Sequence, residues 1–198
     1  MSLATALRDA LEAGRHRTPE LLAGDVLEEE SEGTISPAAV LVAVVDRPDP
    51  TVILTLRPET MRKHGGQVSF PGGRIDPGDA GPVEAALREA QEEIGLPPDR
   101  IEIVGIADPY RTITGFEVTP VIGIVPPGIA LVPHPGEVAA VFEAPLRFLL
   151  DPAHQLVRTA EWRGRERHYY EIEYEGFRIW GATAAMIVNL SRRLAPAR

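Results

Sequence analysis

The chain has 198 residues, 44% of them hydrophobic and 25% charged, which is the make-up of one globular domain with enough apolar mass to bury a core. Twenty-nine acidic residues against 20 basic ones leave a net charge of −9, the wrong sign for a protein that grips a nucleic-acid backbone. Cysteine is absent, which excludes disulfides, thiolate nucleophiles and cysteine-bound zinc, so any metal must be held by oxygen or histidine. Every basic residue except Lys63 is arginine, a side chain whose planar fork suits phosphate. No apolar run is long enough to span a membrane and no basic head precedes a greasy segment at the start. The expectation is a cytoplasmic protein with no membrane partner.

In chain order, Leu3, Ala6, Leu7, Ala10 and Leu11 recur at helical spacing after a Ser2 cap, and Gly14 ends the pattern. The apolar face of this helix needs covering, by its own domain or by a second copy in a homodimer. Acidic residues 28–33 read as a solvated linker. They divide an N-terminal helical extension, residues 1–35, from a main domain, residues 36–198. Ala38 to Val45 is an unbroken apolar run, the mark of a strand buried on both faces, and Thr51 to Arg57 follows a Pro-Asp-Pro turn as its hairpin partner. From Glu59 to Gly81 glycine and proline predict mostly loop around a short strand at Gln67 to Phe70. Pro82 opens a helix whose face carries Val83, Ala86, Leu87, Ala90 and Ile94, and Gly95 stops it. Strands are predicted at Ile101 to Ile106, Glu117 to Val125 and Glu137 to Phe142. A short helix from Pro145 to Leu150, a hairpin from Arg167 to Trp180 turning at Glu175-Gly176, and a closing helix from Ala182 to Leu194 complete the chain. This irregular alternation is α+β, a mixed sheet flanked by helices.

The chemistry concentrates in Phe70-Pro-Gly-Gly-Arg-Ile-Asp-Pro-Gly-Asp79 and the helix ending Arg88-Glu-Ala-Gln-Glu-Glu-Ile-Gly95. At about 100° per residue, Glu89 and Glu93 nearly superpose and Glu92 stands roughly 60° away, so three carboxylates share one side and border the apolar stripe. Alone, a glutamate-rich helix is an ordinary solvated surface. Beside a Gly-Gly turn, the same cluster suits a hard divalent cation, Mg²⁺ or Mn²⁺.

The combination of Gly73, Arg88-Glu89, Glu92-Glu93 and Gly95 resembles the Nudix box, G-x5-E-x7-R-E-U-x-E-E-x-G-U. Two departures stand out: Asp79 occupies the first glutamate position, and eight residues rather than seven separate it from Arg88. Asp79 therefore reads as a helix N-terminal acid or a partner for Arg88. The resemblance implies a mixed sheet sandwiched between helices, a divalent metal held by Glu89, Glu92, Glu93 and the Gly73 carbonyl, and hydrolysis of a nucleoside diphosphate derivative. Arg88 joins that catalytic group. The general base is left open, with Glu137 and Glu143 as loop candidates and Glu143 the better structural partner.

Upstream, Leu54-Thr-Leu-Arg57 and Met61-Arg62-Lys-His64-Gly-Gly-Gln67-Val-Ser-Phe-Pro-Gly-Gly73 resemble the coenzyme A pyrophosphatase branch of that family. Arg57, Arg62, His64 and Gln67 line a cationic loop leading into the site, suited to a ligand with a further phosphate. Arg111 and Thr112, in Asp108-Pro-Tyr-Arg-Thr-Ile-Thr-Gly-Phe, are further substrate-binding candidates, while Phe116 and the Trp180-Gly-Ala-Thr-Ala segment read as packing. The resemblance implies cleavage of coenzyme A or an acyl thioester. The alternatives are a diphosphatase for ADP-ribose or dinucleotides and a silent nucleotide-binding module.

Overall fold

A computed structural model describes residues 1–19, 35–61, 64–162 and 165–195. The predicted acidic linker at 28–33, and Arg62 and Lys63, lie outside the described residues.

Strand β1 (Ser36–Val45) is the axis of the molecule. It pairs in parallel with β7 (Phe116–Val125) over its full length, Ser36 opposite Phe116 through Val45 opposite Val125. Its other edge is shared. Near its end it meets β2 (Thr51–Leu56) at Val44 and Val45, and near its start it meets β4 (Gly72–Arg74) at Ala38 to Val40. The predicted hairpin thus exists but covers only two residue pairs, because β2 leaves β1 to pair with β8 (Ala140–Pro145) and with β3 (Val68–Ser69). β5 (Glu102–Ile106) and β6 (Tyr110–Arg111) pair with β7 and complete a mixed eight-stranded sheet.

The apolar run of β1 is unbroken because both faces are buried. Ala39, Leu41, Ala43 and Val45 join one core with Ile53, Val121 and the helix α2 (Pro82–Ile94), while Ala38, Val42 and Val44 join a larger core on the opposite face. The first core is rich in alanine: Ala39 and Ala43 face a helix that presents Ala85, Ala86 and Ala90, so α2 lies close against the sheet. The opposite face carries α1 (Leu3–Ala13), α3 (Leu146–Leu150) and α4 (Ala182–Leu194). It also carries a three-stranded sheet of β9 (Leu156–Trp162), β10 (Arg165–Tyr174) and β11 (Phe177–Trp180), which contributes Tyr170, Ile172 and Ile179.

Ser2 caps α1 as predicted, and its buried residues Ala4, Leu7 and Leu11 pack within this domain's own larger core. The buried Arg193 of α4 closes that contact, donating to the Leu11 carbonyl at 2.8 Å and to both oxygens of Asp108 at 2.7 and 2.9 Å. Thr183, in the segment expected to pack, donates to the Val68 carbonyl at 3.0 Å and ties the start of α4 to β3.

Three expectations are corrected. The stretch from Glu59 to Gly81 contains β4, whose glycines sit so tightly on β1 that a Cβ on Gly72 would stand 2.6 Å from Val40 Cα. The strand predicted from Glu137 begins at Ala140, because the amides of Glu137 and Val138 both donate to the His134 carbonyl and fold residues 134–138 into a turn. The hairpin at 167–180 gains a third strand, β9, whose exposed residues give no alternating pattern.

The close approach of α2 is the most sensitive feature of this packing. Ala90→Leu is expected to destabilise the protein by about 1–3 kcal/mol through overpacking, read as a lower midpoint in urea unfolding with an unchanged slope.

Candidate active site

Helix α2 has the boundaries its sequence predicts: Pro82 at its first position and, at its end, Gly95 at φ 66°, whose amide returns to the carbonyls of Ala90 and Gln91. Its buried residues are Ala85, Ala86, Ala90, Glu93 and Ile94, so one carboxylate lies inside the apolar face rather than along its border. Only 3% of Glu93 is exposed. Glu89 is partly covered and Glu92 points outward, so the three acids grade from interior to solvent.

Two contacts hold Glu93. The Gly72 amide donates to Oε2 at 3.1 Å, and the Arg57 guanidinium stands 3.8 Å from Oε1. Burial dominates, lifting the Glu93 carboxyl from 4.5 to about 7; the Gly72 amide and Arg57 oppose that rise, and the charges of Glu89 and Glu137 add to it. Burial also raises Glu89, with Arg88 opposing. Glu89 rests on Gly73, where a Cβ would stand 2.5 Å from the Glu89 Cδ, so a side chain there would displace that carboxylate.

Arg88 organises the outer half. Its Nε and Nη2 donate to the two oxygens of Asp79, each at 3.0 Å, its Nη1 to Glu89 and Glu92, and its Nη2 also to the Arg74 carbonyl. Asp79 is thus the partner of Arg88, one of the two roles its sequence position left open. The bond to Arg88, then the Asp76 amide, holds its carboxyl below the usual carboxylate range.

Loop residues 126–139 pass over the end of α2, where Val132 and His134 donate their amides to the carbonyls of Ile94 and Glu93. This loop carries the exposed Glu137 to where its charge is felt by both Glu89 and Glu93. Glu143 is remote from them, paired with Arg47 at 2.8 Å and bonded by the Thr51 hydroxyl.

Of the predicted binding residues, Arg57 reaches the Glu93 carboxylate and keeps a buried Nε without an acceptor among the described residues. His64 and Gln67 hydrogen-bond to each other at 2.9 Å, the Arg57 amide donates to the Gln67 carbonyl, and the Gly66 amide donates to the Arg57 carbonyl. Arg62 falls outside the described residues. Arg111 is exposed and paired with Glu117 at 2.8 Å, and the Thr112 hydroxyl accepts from the Phe116 amide, closing its own turn. Phe116 packs on the larger core, with the Arg74 guanidinium over its ring. Sequence reasoning did not anticipate the Arg74 carbonyl or the Gly72 amide as site groups, since neither bond depends on a side chain at its own position.

Among the described residues, no three histidine or acidic side chains form a finished metal chelate, because Arg88 holds Glu89 and Glu92 from the side. The donor chemistry nonetheless fits a hard divalent cation: every group is an oxygen, and the buried Glu93 charge is incompletely compensated. No helix among the described residues is long and apolar enough to cross a membrane.

The raised Glu93 carboxyl gives a pH signature. The folded protein holds that proton between pH 4.5 and about 7 and the unfolded chain does not, so stability falls as pH rises through this window. In EDTA, wild-type protein is expected to lose stability between pH 5 and pH 8, with roughly 3 kcal/mol as the upper bound of the Glu93 contribution. Glu93→Gln keeps an acceptor for Gly72 and should flatten that loss; thermal melts across the range check it.

The NUDIX domain family model matches residues 35–169. Proteins named uncharacterized Nudix hydrolase NudL from Cronobacter sakazakii and Klebsiella pneumoniae are 45% and 43% identical over 157 residues, covering 79% of this chain and 82% of each relative. The crystal structure of a Nudix hydrolase from M. smegmatis, RenU, superposes with a TM-score of 0.49 at 25% identity, covering 58% of this chain and 73% of that one. With the box helix and the Gly-Gly strand in place and the family model spanning most of its length, the chain belongs to the Nudix family.

Proposed function

We propose that this Nudix hydrolase cleaves the diphosphate of coenzyme A or its thioesters, giving 3′,5′-ADP and 4′-phosphopantetheine or its acyl form. The family assignment carries hydrolysis of phosphoanhydride bonds. The observation that carries the substrate is the cationic loop from Arg57 to Gln67, which runs directly into the Gly72-Gly73 strand and whose first arginine stands beside Glu93.

Glu89, Glu92 and Glu93, with the Gly73 carbonyl, are the residues that would hold Mg²⁺ or Mn²⁺. Such an ion supplies charge neutralisation at the diphosphate and a more acidic water. The remaining work belongs to the chain. Arg88 fixes the orientation of Glu89 and Glu92 by bonding one oxygen of each. Glu137, exposed and close enough for its charge to act on Glu89 and Glu93, is the general base that takes a proton from the attacking water as the bridging P–O bond breaks. The buried Nε of Arg57, without an acceptor among the described residues, is a donor for a diphosphate oxygen. Arg62 and Lys63 supply charge for the phosphate on the ribose, which coenzyme A has and ADP-ribose lacks. His64 and Gln67 buttress that loop through their mutual bond. Arg111 and Thr112 stand as outer contacts for the substrate. The acidic balance of the chain argues for a small-molecule partner rather than nucleic acid, and the chain's composition for a cytoplasmic setting. Residues 1–35 are assigned as an extension of the catalytic domain.

With Mg²⁺, purified protein is expected to release 3′,5′-ADP from coenzyme A, and Glu93→Gln or Glu89→Gln to lower kcat by at least about a hundredfold, measured by chromatographic separation of the products. Coenzyme A should exceed dephospho-coenzyme A in kcat/KM by about tenfold, the size of one charge-assisted contact, and Arg62→Ala should erase that preference. Equal use of the two substrates, or faster turnover of ADP-ribose, would replace the substrate assignment. No turnover of any nucleotide diphosphate would make the protein a binding module.

A further inference from the structure

The loop that carries Glu137 past the carboxylates does a second thing. Ahead of His134 its residues Ile129, Leu131 and Pro133 form one wall of an open groove of about 600 Å³. The opposite wall is the edge strand β8, at Val141 and Glu143. Both walls continue along the chain toward the candidate active site: Pro133 adjoins His134, whose amide is bonded to the Glu93 carbonyl, and Ala139, two residues before Val141, donates its amide to the carbonyl of Leu56, the residue before Arg57.

The lining restricts what fits. Ile129, Leu131 and Val141 are half-buried against the core under α2 and present aliphatic surface to the groove. At the far end Arg47 and Glu143 neutralise each other at 2.8 Å, and the Thr51 hydroxyl is bonded to Glu143. The far end is therefore polar but carries no spare charge, which suits amide or hydroxyl groups and offers nothing to a further phosphate. It also lacks a platform for a second nucleobase. Among the described residues, the one aromatic that touches the groove, Phe142, has its ring stacked on Phe177 at 3.8 Å and belongs to the larger core on the other face of the sheet.

We propose that this groove holds the non-nucleotide arm of the substrate as an extended, uncharged chain of amide and alkyl character, the pantetheine arm or its acyl form. The identity of the occupant rests on the coenzyme A reading above; the exclusion of a second base or phosphate rests on the groove's own lining. The assignment accounts for two features in one loop: an acid at the diphosphate and an apolar wall leading away from it.

Because the chain contains no cysteine, a single introduced thiol can be addressed alone. Leu131→Cys and Val141→Cys place it in the groove, and Ile106→Cys places it on an exposed site of β5. Each variant is incubated with the disulfide of pantetheine. The protein thiolate attacks one sulfur, forms the mixed disulfide and expels one pantetheine thiolate, and the 2-mercaptoethanol concentration that releases half the adduct is read by intact mass. Release from either groove site is expected to need about tenfold more reductant than from Ile106→Cys, a difference worth about 1.4 kcal/mol. The difference should vanish when 2-hydroxyethyl disulfide is used instead. Equal release at all three sites, or a difference that persists with the hydroxyethyl adduct, overturns the assignment; Val141→Cys decides it if Leu131→Cys does not fold. Turnover of coenzyme A by the wild type is scored separately. Cleavage without preferential tethering refutes the groove and leaves the activity standing, whereas preferential tethering without cleavage supports the groove and refutes the activity.

Discussion

Arg88 has five N–H donors, and all five find acceptors, in the loop before α2, on α2 itself and on strand β4. Two go to Asp79, one each to Glu89 and Glu92, and one to the Arg74 carbonyl. This joins the loop before α2, the helix itself and strand β4 through a single planar group. An isolated ion pair on a surface contributes little; here the fork matches the paired oxygens of Asp79 on one side and separates two glutamates on the other. The shorter acid and the longer loop at this point of the motif are mutually compensating, since Asp79 still reaches the guanidinium.

Behind that network lies a graded electrostatic layer. Glu92 is solvated, Glu89 is partly covered by its seat on Gly73, and Glu93 is buried among alanines with one amide and one distant guanidinium for company. The alanine-rich contact between α2 and β1 makes this arrangement possible. Larger residues would lift the helix, and with it the carboxylates, away from the Gly72 amide. The cost of burying Glu93 is borne by the tight packing around it, and a carboxylate so placed favours any bound cation over bulk water.

Most elements could be read from pattern. The apolar run at 38–45, the capped helix at 3–13, the helix at 82–94 with its Pro start and Gly stop, and the turn at Glu175-Gly176 all follow from local chemistry that the fold respects. Strands β4, β6 and β9 have no pattern of their own because they are short, glycine-bearing or, in β9, exposed from Leu156 to Glu161, and their pairing is decided by a neighbour rather than by their own side chains. The apolar run from Val138 to Phe142 predicts a strand from Glu137, yet the His134 carbonyl captures two successive amides and delays the strand to Ala140. The net charge of −9 likewise hides the local arrangement, in which Arg57 and Arg88 stand among the acids that dominate the total.

By itself, then, the sequence determined the family, the box helix and which residue types can meet a diphosphate, because periodicity, caps and motif spacing are local properties. Only the tertiary structure decided that Glu93 is interior while Glu92 is not, that Asp79 serves Arg88, that α1 covers its own domain, and that the loop bearing Glu137 also walls an aliphatic groove. Each of these depends on contacts between segments far apart in the chain, where burial and approach distance set the energy and no local pattern records them.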